Sequence, residues 1–388
     1  MTRGFVRNWA RSWLLLSLVA GVSAHAGAEP FEFALVGDYP YFPRDDAGLP
    51  HLLEDLRTAP DLEWVLHLGD VHNPRATDCS EALFRERRDA FLGLDHPFVL
   101  TPGDNDWADC SGDGVAWLGV VRDVFFGSDA RVLEGAGFDI RSQSIDGGPV
   151  ENLIWERGGV VFATLHMIAG PAPPLGWLDE LRSERAGLRE AGAAWIDEAF
   201  RVAHERDAQA VFLATQVSLW PHTGNPSLLH VVDPEHLEPH DGFAPVMAAL
   251  VEHTRAFGRP VVVANGDTHV FRVDKPLVDE HRESLQNFTR VEGFGSPHGH
   301  WVRVRVEPDR EEVFSFRQEW VTKNLYTLVP RAERTDDFED DGIGNLIWVV
   351  RVMQWIPTAL AWIGVFAIVR FSGARAVRWI SARRARSD

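Results

Sequence analysis

Short apolar runs alternate along the chain with longer segments whose apolar positions recur at helical spacing. The runs at 31–37 (FEFALVG), 63–68 (EWVLHL), 97–101 (PFVLT), 160–165 (VVFATL), 208–214 (AQAVFLA) and 261–264 (VVVA) read as strands. Residues 47–58, 80–93, 180–205 and 243–256 read as helices, the third carrying Leu181, Leu188, Trp195, Ile196 and Phe200 on one face. Residues 270–273 continue a sheet, and 301–306 with 313–316 read as a closing hairpin. The Gly-rich stretch 111–158 reads as a loop-rich insertion. There is no internal repeat. Strands alternating with helices predict an α/β layered fold.

The two ends depart from this pattern. Arg3, Arg7 and Arg11 precede an apolar core, Trp13 to Val22, and a small-residue site ending at Ala26. That is the pattern of a secretory signal peptide, residues 1–26. At the other end, 352–369 (VMQWIPTALAWIGVFAIV) carries no charge. At about 1.5 Å per residue it would span roughly 27 Å, close to the thickness of a bilayer core. It reads as a transmembrane helix, joined by an acidic linker at 326–350 and followed by an Arg-rich tail at 370–388. Positive flanks belong on the cytoplasmic side. The expectation is an exported ectodomain, 31–325, held N-out and C-in at a bacterial inner membrane with its bulk in the periplasm. The bacterial assignment rests on the preference for Arg, since only Lys275 and Lys323 are lysines.

Charge sharpens the choice of partners. Between residues 31 and 350 there are 28 Lys and Arg against 55 Asp and Glu, about −27. That argues against nucleic acid. Two cysteines, Cys79 and Cys110, in an exported chain suggest a disulfide rather than a zinc site.

Four of the apolar runs end in the same way, with Gly and then Asp. They are VGDYPY (Asp38), LGDVHN (Asp70), PGDND (Asp104) and NGDTH (Asp267). Open α/β sheets place ligands at the carboxyl ends of their strands. Four carboxylates converging there need a cation or protons to offset their repulsion. A two-metal site, with one carboxylate bridging the ions, answers that need.

In order and spacing these blocks resemble those of the calcineurin-like metallophosphoesterases, the superfamily that includes purple acid phosphatases. The resemblance spans about residues 31–275 and implies a four-layer α-β-β-α sandwich. By that likeness Asp38 matches the first metal ligand and Asp70 the bridging carboxylate. Asp104 stands where the family has Asn. Asn105 takes the place of its catalytic His, and Asp106 that of the acidic partner of this His. Gln216 stands for an isolated His ligand. Asp267 replaces the first His of the last block, and His269 keeps the second. Asp104 and Asn105 compete as the metal ligand of the third block. Pro40 replaces a His of the first block, a gap that Tyr41 or His72 could fill. His166 reads as a core residue, and His298 and His300 as polar loop positions. Oxygen-rich ligands favour Mg²⁺, Mn²⁺ or Ca²⁺ over Zn²⁺ or Fe.

The resemblance thus implies a membrane-anchored, extracytoplasmic hydrolase. It would use two divalent metal ions and metal-activated water on phosphate mono- or diesters, small or lipid-linked. The alternative is an inactive binding or sensing module of the same fold, because Asn105 can donate a hydrogen bond but not a proton.

Overall fold

The computed structural model describes residues 28–59, 61–127, 137–168, 179–220 and 242–326. Its strands form two sheets. The first runs β12-β11-β1-β2-β3 and the second β4-β5-β6-β7-β8-β10-β9. In the first, β1 (Phe31–Val36), β2 (Leu62–His67) and β3 (Phe98–Leu100) are parallel. The hairpin β11 (Trp301–Val306) and β12 (Phe314–Glu319) adds antiparallel to β1. In the second, β6 (Val160–Thr164), β7 (Ala210–Ala214), β8 (Val261–Asn265) and β10 (Phe288–Glu292) are parallel. Its edges are antiparallel, β4 (Arg141–Ser142) with β5 (Leu153–Arg157) at one side and β9 (Arg272–Asp274) at the other.

The central strands are continuously apolar because both their faces are covered. Phe31, Phe33 and Leu35 of β1 point between the two sheets, among Trp64, Phe162 and Phe212. The alternate residues Ala34 and Val36 pack on the other side, against α1 (Pro43–Arg57), α2 (Glu81–Leu92) and α3 (Gly114–Phe126). β8 divides its side chains in the same way: Val262 and Ala264 face the first sheet. Val261 and Val263 face α4 (Asp179–Glu205) and α5 (Ala244–Phe257). Aromatic rings hold the sheets together, with Phe33 stacked on Trp64 at 4.7 Å and edge-on to Phe212 at 5.2 Å. Each such ring contributes about 1.5–3 kcal/mol by burial.

Two expectations are corrected here. Where it is described, the stretch 111–158 carries a helix and two strands rather than the loop-rich insertion expected. Asp113 caps α3 by accepting from the Ala116 amide at 3.1 Å, and Leu118, Val121, Val124 and Phe125 form its buried stripe. Of the glycines that mask this helix, Gly114 opens it, Gly119 lies in its middle and Gly127 follows its end; β4 and β5 come later in the stretch. The expected fold with a C-terminal transmembrane helix is also corrected. The described residues form a mixed α/β arrangement of two sheets, and no helix among them is long and apolar enough to cross a membrane. The longest, α4, has 27 residues but carries charge throughout. The expected signal peptide, all but the first residue of the expected linker, the segment 352–369 and the basic tail lie outside the described residues.

The ends of β1, β2 and β3 meet those of β7 and β8. Asp38 N donates to Gly69 O at 2.9 Å, Gly266 N to Gln216 O at 3.0 Å, and Ser296 N to Asp38 O at 2.8 Å. That seam carries the four Gly-Asp blocks.

Candidate metal centre

The Gly-Asp pattern has a steric cause. A Cβ on Gly103 would stand 2.0 Å from Asp70 Oδ1, and one on Gly266 would stand 2.0 Å from Asp38 Oδ2. These two loops need a bare backbone beside a neighbour's carboxylate, while Gly37 would meet Leu68 Cβ at 2.9 Å and Gly69 the Thr101 carbonyl at 2.6 Å. Asp38, Asp70, Asp267 and His269 adopt φ of 50°, 57°, 76° and 62°. Such left-handed backbone costs about 1–3 kcal/mol per residue and clusters at functional sites.

Two carboxylates form the floor. Asp38 Oδ1 accepts from Asp267 N at 3.0 Å and from Gln216 Nε2 at 3.2 Å. Asp70 Oδ2 accepts from Tyr41 OH at 2.5 Å, Asn105 Nδ2 at 2.9 Å and Gln216 Nε2 at 3.0 Å. Tyr41 OH also stands 3.4 Å from Asp38 Oδ1 and accepts from Asn105 Nδ2 at 2.9 Å. Asp38 and Asp70 are fully buried, while Asp104, Asn105, Asp267 and His269 are partly open. Asp267 Oδ2 accepts from Ser218 N at 2.9 Å, which fixes it at the rim.

Charge is uncompensated. Among the described residues no Lys or Arg pairs with Asp38, Asp70, Asp104 or Asp267, and the one ion-pair contact in the group is His269 to Asp38. Burial, with Asp267 beside it, pushes the Asp38 carboxyl well up. Burial, then Asp104 and Asp38, does the same to Asp70. Asp104 rises to about 7 through burial, Asp109 and Asp267.

His269 tests whether a cation fits. Its Nδ1 lies 2.7 Å from Ser296 O, a carbonyl that can only accept, so Nδ1 carries the proton. The Nε2 lone pair then faces Asp38 Oδ1 at 3.7 Å. Two lone-pair atoms face one another, and Asp38 Oδ2 is buried without a hydrogen-bond partner among the described residues. A carbonyl behind the far nitrogen is the usual arrangement of a ligating histidine. Carboxylate oxygens with one imidazole suit a hard or borderline divalent ion. Asp38 and His269 are thus paired as two ligand atoms of such an ion would be, while no three Asp, Glu or His ligand atoms of this cluster come within 4.8 Å of one another. Asp70 Oδ2 already takes three hydrogen bonds.

The other expected site residues fall as follows. Gln216 and Asn105 lie in the cluster, with their amide nitrogens turned to the carboxylates. Asp106 does not reach the open rim. Its two oxygens accept from the amides of Asp70, Val71 and Gly103 at 2.9, 2.8 and 2.8 Å, which makes it the brace between two loops. His298 and His300 stack on each other, and His300 lies 4.8 Å from Trp320, on the loop whose Ser296 holds His269.

Cys79 and Cys110 form a disulfide with Cα atoms 5.7 Å apart, tying the loop after β2 to the loop after β3. His72 Nε2 stands 3.3 Å from Cys79 Sγ. As a disulfide the sulfurs are not thiolates, so this trio is no metal centre as it stands.

Sequence reasoning missed a buried chain of polar contacts. Trp107 Nε1 donates to His166 Nε2 at 3.0 Å, and His166 Nδ1 reaches Glu151 Oε1 at 2.6 Å. Arg122 Nη2 donates to the same oxygen at 2.8 Å. The indole of the DNDW block is thus anchored in the protein interior. A polar His inside an apolar strand was the available signal. Ser296 was missed as well; its Oγ donates to Asp45 Oδ2 at 2.6 Å, and its carbonyl orients His269.

The chain matches no family profile and no curated protein. Among solved structures it is similar to GAP50, the anchor in the inner membrane complex of Plasmodium. The identity is 8%, the TM-score 0.40, and the match covers 78% of this chain and 98% of that one.

Proposed function

We propose that this chain is a metal-dependent phosphoesterase whose centre is the cluster of Asp38, Asp70, Asp104, Asp267 and His269. One observation carries the proposal: buried carboxylates with no Lys or Arg partner among the described residues, one of them, Asp38, faced by the bare nitrogen of His269. Asp38, Asp267 and His269 would hold one divalent ion, with Asp70 and Asp104 toward a second. A bound divalent ion lowers the pKa of water and polarises a phosphoryl oxygen. Ser296 keeps His269 in its ligating tautomer. Asn105, at the open rim, would donate its amide to a phosphate oxygen by exchanging one of its bonds to Tyr41 or Asp70. Asp106 fixes the turn that presents Asp104 and Asn105. The substrate would be a phosphate mono- or diester, small or lipid-linked. The disulfide supports an oxidising compartment.

The test is a metal count on the purified full chain beside a panel of phosphomonoesters and phosphodiesters. One or two ions per chain and metal-dependent release of phosphate or alcohol are expected. Asp38→Asn and Asp70→Asn should each lose metal and nearly all turnover. Full metal content and full turnover in both variants would sink the proposal.

A second reading is a binding or sensing module of the same fold. The hydrogen bonds from Tyr41, Asn105 and Gln216 favour it, because they already satisfy Asp70. Metal binding with no turnover across the panel would select it.

A further inference from the structure

The loops after β2 and β3 meet a second time, away from the carboxylate rim. There His72 is 1% exposed, and its Nδ1 has no hydrogen-bond partner among the described residues. The ring of Phe84 stands edge-on to it at 5.2 Å. Its Nε2 is aimed at Cys79 Sγ, 3.3 Å away. Cys110 is buried and lines a cavity of about 580 Å³, bordered by Asp113, Glu180 and Leu181. Cys79 is partly open.

These spacings are close to those of a soft-metal site. Tetrahedral zinc binds sulfur at about 2.3 Å and imidazole nitrogen at about 2.0–2.1 Å, so a sulfur and a nitrogen ligand stand roughly 3.5 Å apart and two sulfurs roughly 3.8 Å. The His72–Cys79 distance already fits. Only the two sulfurs are too close, because they are bonded to each other.

We propose that reduction of the Cys79–Cys110 disulfide converts this trio into a zinc site, empty while the disulfide is intact. A dithiol reductant supplies two electrons and two protons. The S–S bond breaks, two thiols form, and the reductant leaves as its own disulfide. Zn²⁺ then displaces both thiol protons to solvent and bonds Cys79 Sγ, Cys110 Sγ and His72 Nε2. Water takes the fourth position, on the side of the cavity at Cys110. The site is separate from the carboxylate cluster in its ligands, since sulfur and imidazole select a softer ion than oxygen does. It stands whether or not the cluster is catalytic. It also makes the fastening of the Asp104–Asp106 loop depend on redox state: a disulfide when oxidised, a metal clip when reduced.

The test uses Co²⁺ as a spectroscopic stand-in for zinc on the full chain, oxidised and after reduction with a phosphine, with free thiols counted. Thiolate-bound tetrahedral Co²⁺ gives a sulfur-to-metal charge-transfer band that oxygen ligands do not give. The band should appear only after reduction, at one equivalent of Co²⁺, and Zn²⁺ should bleach it. Cys79→Ser should remove it, and His72→Ala should weaken binding about tenfold or more. Thermal unfolding guards against loss of the fold: Zn²⁺ should raise the melting temperature of the reduced protein more than that of the oxidised one. Two free thiols with no band, or a reduced protein that unfolds and is not restored by Zn²⁺, overturns the proposal. So does unchanged affinity in His72→Ala.

Discussion

Among the described residues, two groups built on buried carboxyls behave in opposite ways. In one, Glu151 sits between His166 and Arg122. Burial alone would raise its carboxyl, but the hydrogen bonds from His166 and Arg122, with the Arg122 charge, overcome it and bring it down to about 2. In the other, Asp38 and Asp70 have donors but no Lys or Arg partner among the described residues, and both are pushed well up. Burial is nearly complete in both, so burial is not what separates them. The presence of a permanent cation is. Glu151 is neutralised by its own chain, which is how a structural charge is buried. Asp38 and Asp70 have no such neutralising partner among the described residues, and carboxyls perturbed in this way are candidates for a site.

Removing one member from each cluster should break the comparison most sharply. Glu151→Ala leaves His166 and Arg122 without their shared anion, and loss of one partner of a buried pair costs about 3–5 kcal/mol. Asp38→Asn removes a carboxyl that has no Lys or Arg partner among the described residues and keeps an acceptor for the Asp267 amide. The metal-free variant should lose less than about 1 kcal/mol at neutral pH, or gain stability. Chemical denaturation of the two variants without metal measures both. Equal losses would mean that the floor carboxylates are structural after all.

The pH dependence should divide in the same way. Glu151 falls from its ordinary 4.5 to about 2 on folding, so its contribution is present above 4.5 and is lost as pH drops from there toward 2. Asp104 rises from 3.8 to about 7. The folded state therefore holds a proton that the unfolded chain has given up, and stability falls as pH climbs from about 4 to 7. A metal-free stability profile should slope down on both sides, and a saturating divalent ion should flatten only the neutral limb. A neutral limb that keeps its slope with metal present would separate Asp104 from the ion.

Much of this was legible in the sequence. Each Gly-Asp block follows a strand whose two faces are both buried, so the apolar run and its end are sharp. Cys79 and Cys110 pair as their number suggested. The paired cluster was not legible. Glu151 lies on a stretch masked by glycines, and its partners Arg122 and His166 come from a helix and from the end of a strand on either side. Nothing local marks them as one group. β10 was hidden for a similar reason: FTRVE has too little apolar length to stand out, and β8 and β9 on either side hold it in the sheet. Asp106 shows the reverse error. Its place in DND made it look chemical, yet three backbone amides take both of its oxygens.

Gln216→Glu sharpens the comparison from the other side by adding a carboxylate to the unpaired cluster. The metal-free protein loses the two hydrogen bonds from Nε2 and gains repulsion, a cost of about 1–3 kcal/mol. The ion gains a ligand, so its Kd should fall by roughly tenfold, on the order of 1.4 kcal/mol. Calorimetric titration with Mn²⁺ and a denaturant melt on the same preparation read both effects. Weaker metal binding would mean that Gln216 serves as a hydrogen-bond donor alone.

Trp107→Phe asks how far the two clusters are coupled, and its effect should be the smallest. The indole joins the DND turn to His166, and Phe fills most of its volume without the Nε1 donor. Leaving His166 Nε2 buried without that bond costs about 1–2 kcal/mol. Asp106 still clamps the turn through three amides, so Asp104 and Asn105 keep their places. Metal affinity should therefore stay within about threefold of the parent, less than 1 kcal/mol, while the melt shifts by the full amount. A tenfold loss of metal affinity would show that the paired cluster positions the unpaired one through Trp107, and that Asp106 alone does not hold the turn.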